Sequence, residues 1–279
     1  MSAGSDAFRY PDEALHERWP RLHRGDREPF PDANRIARLV KSHVELRAWI
    51  DDHGGADAVA GRLQDAWREF HAGRFERAIR IATAIGVLGV PVACKAAAIR
   101  AATLPQESTA ALEILQAAAA RAEGAPEQLP VWPNLHYTLG LVLGRYSQRI
   151  SVVRALAEGL GNRVRALLDR TLELEPRHAE AHTALGLYHA EIVGKLGALV
   201  ANLTYRATPR EALAHFRRAI ELTPDSAIAH LEYAHGLMLL DARANRTEAA
   251  ALCKRAAGCT PADAMEQLDV ERAASGLRD

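Results

Sequence analysis

The chain has 279 residues, with 35 basic and 35 acidic side chains, so its formal net charge at pH 7 is zero. A neutral chain lacks the overall field that attracts nucleic acid or anionic lipid, which argues against a general nucleic-acid binder. Aromatic residues are scarce at 5%, whereas alanine, leucine and arginine, which are strong helix formers, are abundant. The composition predicts an all-α fold.

The cysteine pattern and the absence of long apolar runs predict the compartment. Cys94, Cys253 and Cys259 are odd in number and have no metal-site spacing, which fits a reducing environment. The first residues are polar and contain no signal-peptide core. No apolar run reaches the roughly 20 residues of a membrane-spanning helix. We therefore expect a cytoplasmic protein without a transmembrane segment.

Residues 1–31 are polar and interrupted by four prolines, which predicts an extended or disordered arm. If the arm docks on the body, the isolated rings of Trp19 and Phe30 are its expected contacts. Asp32 can cap a leading helix over residues 32–55, which ends at the glycine pair Gly54-Gly55. From residue 32 to residue 279 we predict a single helical domain.

Residues 56–129 predict two helical pairs. In the first pair, Ala66, Gly73 and Ala78 have the spacing of small residues in a repeated helix–turn–helix unit. The second pair is separated by Leu104-Pro105 and carries a weaker pattern.

Residues 130–259 carry the tetratricopeptide (TPR) pattern, which predicts three further helical pairs. Leu185 and Gly186 match its first half. Its second half, in which two small residues flank an aromatic ring and a proline follows, falls on Ala212, Phe216, Ala219 and Pro224. The predicted fold is a TPR-like helical-hairpin superhelix, or α-solenoid, in which residues 260–279 form a C-terminal capping helix.

Two of these repeats are longer than the template. Gly140 and Pro176 are 36 residues apart, and Gly186 and Pro224 are 38 apart, whereas about 24 fit a 34-residue repeat. The additional residues fall at 147–161 and 192–209 and are partly apolar. We expect lengthened helices in these two central repeats that pack beside each other.

Local capping signals predict where two of the later helices begin. Thr208-Pro209-Arg210-Glu211 forms a capping box, with a threonine cap and a glutamate three residues later. Asn245 and Glu248 repeat this spacing and predict a second helix start before Ala249.

The central region resembles a known family. The two long insertions, the Ala207-Thr208-Pro209 tripeptide and the following Glu211-Ala212-Leu213 are similar to the regulator of microtubule dynamics family, over residues 135–277. The resemblance implies an all-helical TPR fold that associates with other proteins and, in some members, with membranes. It implies no catalytic residues. The alanine- and arginine-rich composition suggests a bacterial homologue, so we do not transfer the microtubule activity.

The concave face is the expected binding groove, because the first helix of each TPR pair lines it. In register, the groove residues are Asn134, Tyr137, Leu141, Arg145, Arg149, Glu180, Thr183, Leu187, Glu191, Leu231, His235 and Met238. Arg145 and Arg149 could hold an acidic group of a bound helix or extended peptide. The alternative for Met238 and Leu239 is that the terminal helix simply covers them.

Twelve histidines raise the question of metal binding. His178, His182 and His189 could share one helix face and ligate a metal. However, His136, His182 and His230 all occupy the aromatic packing position of the repeat, so we interpret them as packing residues. We predict no metal, no cofactor and no catalytic residues.

The predicted function is a non-catalytic protein-interaction scaffold that binds a peptide or helix in the concave groove. TPR arrays are surfaces for partners, and the scaffold does not name the partner. The alternative is a lipid or small-hydrophobe binding module that uses the apolar groove and the inserted helices.

Overall fold

The computed structural model describes residues 8–276 of the chain, in which all regular secondary structure is helical. These residues form two compact units. Unit 1 comprises residues 8–20 and 28–149, and unit 2 comprises residues 21–27 and 150–276. The boundary between the units falls inside the first of the three predicted TPR repeats, and the single helical domain over residues 32–279 stays a prediction.

Within the described residues, unit 1 contains most of α1 (Asp12–Leu22), eight further α-helices and a short 3₁₀ helix at Gly86–Gly89. These are α2 (Ala33–Ser42), α3 (Leu46–Asp52), α4 (Gly55–His71), α5 (Phe75–Thr83), α6 (Val90–Ala102), α7 (Thr109–Ala122), α8 (Ala125–Gln128) and α9 (Pro133–Ser147). Helix α6 is buried along most of its length and packs against α4, α5, α7 and α9. Half of its buried side chains are alanines, whose small size allows this close packing.

Unit 2 contains the remaining helices of the described chain. These are α10 (Val152–Ala157), α11 (Leu160–Leu174), α12 (Ala179–Leu196), α13 (Ala198–Tyr205), α14 (Pro209–Leu222), α15 (Ala227–Ala257) and α16 (Ala264–Gly276). Helix α12 is central, because it packs against α11, α13, α14 and α15. Phe216 of α14 is fully buried between Gly186 of α12 and Gly236 of α15, where larger residues would meet its ring.

The N-terminal part of the described chain is ordered and helical rather than extended. Trp19 of α1 is buried, donates a hydrogen bond from Nε1 to the Glu28 carbonyl at 2.7 Å, and makes an edge contact with Trp67. Phe30 also packs edge-on against Trp19, so both predicted contact rings lie on unit 1. The prediction of an extended or disordered arm is wrong for residues 12–22, while residues 1–7 lie outside the described residues.

The predicted leading helix over residues 32–55 is divided in two. Asp32 caps α2 as expected, since its Oδ1 accepts a hydrogen bond from the Arg35 backbone at 2.6 Å. The helix ends at Ser42, and the chain turns through His43 before α3 begins. Gly54, at φ +88°, then adopts the left-handed conformation that glycine accepts readily before α4.

The two insertions also differ from the prediction of lengthened helices. They fold as the separate short helices α10 and α13. Gly159 after α10 and Gly197 before α13 have φ values of +64° and +76° and break the helical path. Because a residue with positive φ breaks a right-handed helix, most of the additional residues do not extend their neighbours. The exception is α12, which continues to Leu196 and so includes the first five residues of the second insertion.

The last repeat helix begins at a different residue from the predicted one, Asn245. Within α15, Asp241 leaves the helical conformation, and its Oδ1 accepts hydrogen bonds from the backbones of Arg243 and Ala244. Asp241 is therefore the cap, and Asn245 instead donates from Nδ2 to the Leu237 carbonyl at 3.0 Å. In contrast, Thr208 caps α14 as predicted, with its hydroxyl accepting from the Glu211 backbone at 3.2 Å.

Candidate functional site

A local contact occurs three times along the chain at the start of a helix. His136 Nε2 lies 3.0 Å from the Pro130 carbonyl, and His230 Nε2 lies 2.9 Å from the Pro224 carbonyl. His182 makes the same contact with Pro176 at 3.2 Å. In each case a proline precedes the histidine by six residues, so one imidazole ties each helix to the turn before it. The three histidines therefore occupy structurally equivalent positions in α9, α12 and α15.

Two predicted groove residues of unit 1 are buried. Asn134 is only 2% exposed and donates from Nδ2 to the Glu28 carboxylate at 2.6 Å. The same carboxylate pairs with Arg35, whose guanidinium lies 4.5 Å from the Trp132 ring. Tyr137 is 5% exposed, so it acts as a packing residue. Neither side chain presents a surface that a partner could contact.

The predicted arginine pair lines a cavity of about 140 Å³ in unit 1. Arg149 donates to the carbonyls of Ala101 and Pro105 at 2.6 and 2.7 Å, and further bonds go to Leu104 and Gln106. It therefore joins α9 to the last turn of α6 and the loop that follows it. Arg145 bonds Gln148 at 3.2 Å. Leu141 is half-buried on the same helix.

The next row of predicted residues lies along α12 in unit 2. Thr183 is buried, and its hydroxyl donates to the Ala179 carbonyl at 3.1 Å, while Leu187 is buried in the core. Glu180 and Glu191 are half-buried, and Glu191 pairs with Lys195 at 3.1 Å. Of this row, only the two carboxylates are partly accessible.

Helix α15 carries the most accessible predicted residues. Leu231 packs against the cluster of Ala227, Ala256 and Ala273, so α16 helps to cover it. Met238 remains 36% exposed, and the His235 side chain is also exposed. The terminal helix therefore covers the start of α15 and leaves its middle accessible.

Residues 21–27, here called the basic segment, cross the N-terminal ends of three helices in unit 2. The Gly25 carbonyl accepts a hydrogen bond from the Glu180 backbone at 3.1 Å. Arg24 forms a two-pronged pair with Asp225, with contacts at 2.7 and 3.2 Å. Arg21 makes the same type of pair with Glu266, at 2.8 and 3.0 Å. No local sequence signal indicated these contacts, because the partners are about 150 to 245 residues away along the chain.

The basic segment is partly buried and lies beside acidic side chains. His23 and Asp26 are both buried and lie 2.9 Å apart. Burial raises the pKa of Glu266, while the hydrogen bond from Arg21 lowers it. The pairing therefore compensates for part of the cost of burying this carboxylate.

A second cluster of polar side chains lies between α12 and α14. The Nδ1 atoms of His182 and His215 are 2.9 Å apart, and the rings of His189 and His215 are stacked with centroids 5.8 Å apart. His178 is separate from them, because its Nδ1 accepts from the Ala181 backbone and caps α12. Burial lowers the pKa of both His182 and His189 to about 4. The imidazoles are therefore neutral at pH 7.

The remaining candidates within residues 8–276 are metal ligands, reactive thiols and membrane-spanning helices. No group of three histidine, cysteine, aspartate or glutamate side chains there is arranged to hold a metal ion. Cys94 is buried, and burial raises the pKa of its thiol to about 12, so the thiolate is not accessible at neutral pH. Within these residues, every helix is too short or too polar to cross a membrane.

No protein-family profile matches the chain, and a comparison with curated proteins finds no relative.

Proposed function

We propose that the protein is a non-catalytic interaction scaffold, built from TPR-like helical pairs, that binds a peptide or helix of a partner protein along α12 and α15. The threefold histidine–proline contact supports the repeat assignment, because equivalent residues make equivalent contacts in α9, α12 and α15. The fold and the resemblance to the regulator of microtubule dynamics family are part of the same proposal.

The observation that carries the proposal is the basic segment. Unit 2 holds this stretch of its own chain as a scaffold holds a peptide, through a main-chain hydrogen bond at Gly25 and paired carboxylates at Asp225 and Glu266. Bidentate arginine–carboxylate pairs give both geometric specificity and strength. The helix ends of unit 2 are thus suited to a basic segment that forms a turn.

The accessible middle of α15 offers an apolar anchor. Met238 is partly exposed above the core cluster that contains Leu187 and Leu237. Methionine adapts its shape to a partner and is frequent at binding surfaces. Buried Glu232 lies near His235, with 3.6 Å between the carboxylate and the imidazole Nδ1. Glu232 also pairs with Arg272 at 3.8 Å, so we expect the partner to present an apolar side chain to Met238.

The test is site-specific photo-cross-linking in the host cell, with a benzophenone side chain introduced at position 238. A matched probe at Arg246, which is exposed further along α15, serves as the control. We expect a protein adduct from position 238 that is absent from position 246. Met238→Glu should weaken binding of the identified partner by about tenfold or more, whereas Ala250→Glu should not. Equal adducts from both positions would contradict the proposal.

A further inference from the structure

The cavity in unit 1 has a buried apolar wall and an exposed mouth. Ala98 and Ala101 of α6 and Leu115 of α7 are buried and form the apolar wall. Ala102 and Gln106 also line the cavity and are exposed, so it opens to solvent. Its volume of about 140 Å³ has room for several water molecules or one small ligand, whereas a helix is about 10 Å across. The cavity is therefore too small for a partner helix and suits a small molecule.

The lining of the cavity carries positive charge. Arg145 and Arg149 line it, and none of its described lining residues is an aspartate or a glutamate. Glu107 follows a lining residue, but it is exposed and does not line the cavity. The C-terminal ends of α6 and α9 also lie here, and each contributes about half a negative charge. Two full cations outweigh these two dipoles and leave a net positive charge of about one.

The Arg149 guanidinium is fixed in place by the protein itself. Its Nη1 and Nη2 atoms donate to the carbonyls of residues 101, 104, 105 and 106, over distances of 2.6 to 3.1 Å. Within residues 8–276 its hydrogen bonds all go to these carbonyls, so no carboxylate neutralises it. Arg149 consequently supplies a fixed positive charge beside the cavity, rather than direct hydrogen bonds to a ligand.

Three other side chains bring hydrogen-bond donors to the cavity. Arg145 lies four residues before Arg149, and its Nη1 donates to Gln148 Oε1 at 3.2 Å. Gln106 donates from Nε2 to the Gln148 carbonyl at 2.9 Å, which ties the loop after α6 to the end of α9. A guanidinium and two amide groups, all of which contain N–H donors, therefore reach the cavity from two different elements.

We propose that this cavity binds a phosphate group, either as inorganic phosphate or as part of a small phosphate ester. Arginine is the preferred residue for phosphate recognition, because its guanidinium matches the geometry of two phosphate oxygens. The oxygens of phosphate point in tetrahedral directions and accept from donors on several sides, whereas a carboxylate is planar and has only two oxygens. The site belongs to unit 1, whereas the proposed partner surface lies on α12 and α15 of unit 2. It thus adds small-ligand binding to the proposed scaffold and does not depend on it.

The experiment is isothermal titration calorimetry of the full-length protein with sodium phosphate near pH 7 at constant ionic strength. We expect one saturable site with a Kd of about 1 mM or tighter. Arg145→Gln should weaken binding by at least about tenfold, because it removes a cation and a forked donor. A parallel titration with glycerol 3-phosphate distinguishes the two sources of the phosphate group. Binding as tight as that of inorganic phosphate supports an ester ligand, and weaker binding supports the free ion.

Substitutions at the exposed Ala102 separate charge from size. Ala102→Glu places a carboxylate at the mouth, where it competes with phosphate, so binding should be at least about tenfold weaker than in the uncharged, equally large Ala102→Gln. Ala117→Glu makes the same charge change at an exposed position of α7 that does not line the cavity. Solvent screening should keep its affinity within about twofold of the wild type.

Thermal unfolding of each variant shows that it is folded before its affinity is compared. The absence of saturable phosphate binding by the wild type would overturn the proposal. Equal affinities of Ala102→Glu and Ala102→Gln would also overturn it, because the mouth would then have no electrostatic role. Equal losses in Ala117→Glu and Ala102→Glu would show that phosphate responds to the overall charge of the protein and not to this cavity.

Discussion

His182 and His215 share one proton across the 2.9 Å between their Nδ1 atoms. The Pro176 carbonyl can only accept, so His182 carries its own proton on Nε2, and its Nδ1 accepts from His215. Similarly, the Thr208 backbone donates to His189 Nδ1 at 3.4 Å, which places the His189 proton on Nε2. The geometry thus assigns one neutral tautomer to each of the three rings, in agreement with their lowered pKa values.

This cluster predicts that acid destabilises unit 2. The unfolded histidines bind protons below about pH 6.5, whereas the pKa of folded His182 and His189 is about 4. Between these values the unfolded state binds more protons, so the free energy of unfolding decreases as pH falls from 6.5 to 4. Buried His189 should contribute about 1–3 kcal/mol, and half-buried His182 less. Glu211 and Asp169 raise the pKa of these rings and moderate the effect, whereas Arg165 lowers it and strengthens the effect.

Thermal unfolding measured from pH 7.5 to pH 4 tests this expectation. We expect Tm to fall steadily through the window and the double variant His182→Asn, His189→Gln to show a shallower fall. Because carboxylates also titrate near pH 4, the comparison between the two slopes is the informative quantity. The prediction fails if Tm decreases by the same amount in both proteins between pH 6.5 and pH 4.5.

A second prediction concerns the packing around Phe216. A Cβ atom at Gly186 would lie 2.7 Å from the Phe216 ring, and one at Gly236 would lie closer still. We expect Gly186→Ala or Gly236→Ala to cost about 1–3 kcal/mol, because the fully buried ring has nowhere to move. Gly61→Ala in α4 is the control, since a Cβ there meets nothing and should stabilise the helix by about 0.5–1 kcal/mol.

The double variant Gly236→Ala, Phe216→Leu distinguishes crowding from other effects of alanine. Removing the ring creates the space that the new methyl group occupies, so the two substitutions should be less damaging together than their separate costs imply. Urea unfolding of the single and double variants measures this coupling. Strictly additive costs would show that the ring and the glycine do not compete for the same volume.

A third prediction uses two arginines of the basic segment as protease sites. Arg21 and Arg24 are held by Glu266 and Asp225, so limited trypsin digestion should cleave at these positions more slowly than at exposed Arg9. Asp225→Asn with Glu266→Gln should increase cleavage at Arg21 and Arg24 several-fold. Each pair is partly exposed and is expected to contribute only about 0.5–1 kcal/mol. Unchanged cleavage would mean that other contacts hold the segment.

A fourth prediction separates a structural from a binding role for Arg149. Its guanidinium spans several carbonyls at the end of α6, which a lysine cannot reproduce with one ammonium group. We expect Arg149→Lys to destabilise unit 1 by about 1–3 kcal/mol. Arg145→Lys, whose bond to Gln148 joins two side chains, should cost less. If Arg149→Lys leaves the denaturation midpoint unchanged, the carbonyl contacts are not the main role of Arg149.

The sequence allowed prediction of features that depend on neighbouring residues. The all-α class follows from composition, and the caps at Asp32 and Thr208 are local hydrogen bonds that short patterns specify. The same pattern also occurs by chance, as at Asn245, where Asp241 forms the actual cap. The burial of Asn134 could not be predicted, because its partner Glu28 lies 106 residues earlier. Periodicity likewise cannot show which long-range segment covers a helix face.

The basic segment also constrains how the protein assembles during synthesis. Arg24 precedes Asp225 by 201 residues, and Arg21 precedes Glu266 by 245. At about 5–20 residues per second, the nascent segment waits roughly 10 to 50 seconds before its carboxylate partners are translated. Residues 28–149 are continuous and emerge from the ribosome during this interval, so unit 1 can form its core first. Unit 2 can be completed only after α16 leaves the exit tunnel, which leaves its earliest residues open to chaperones until then.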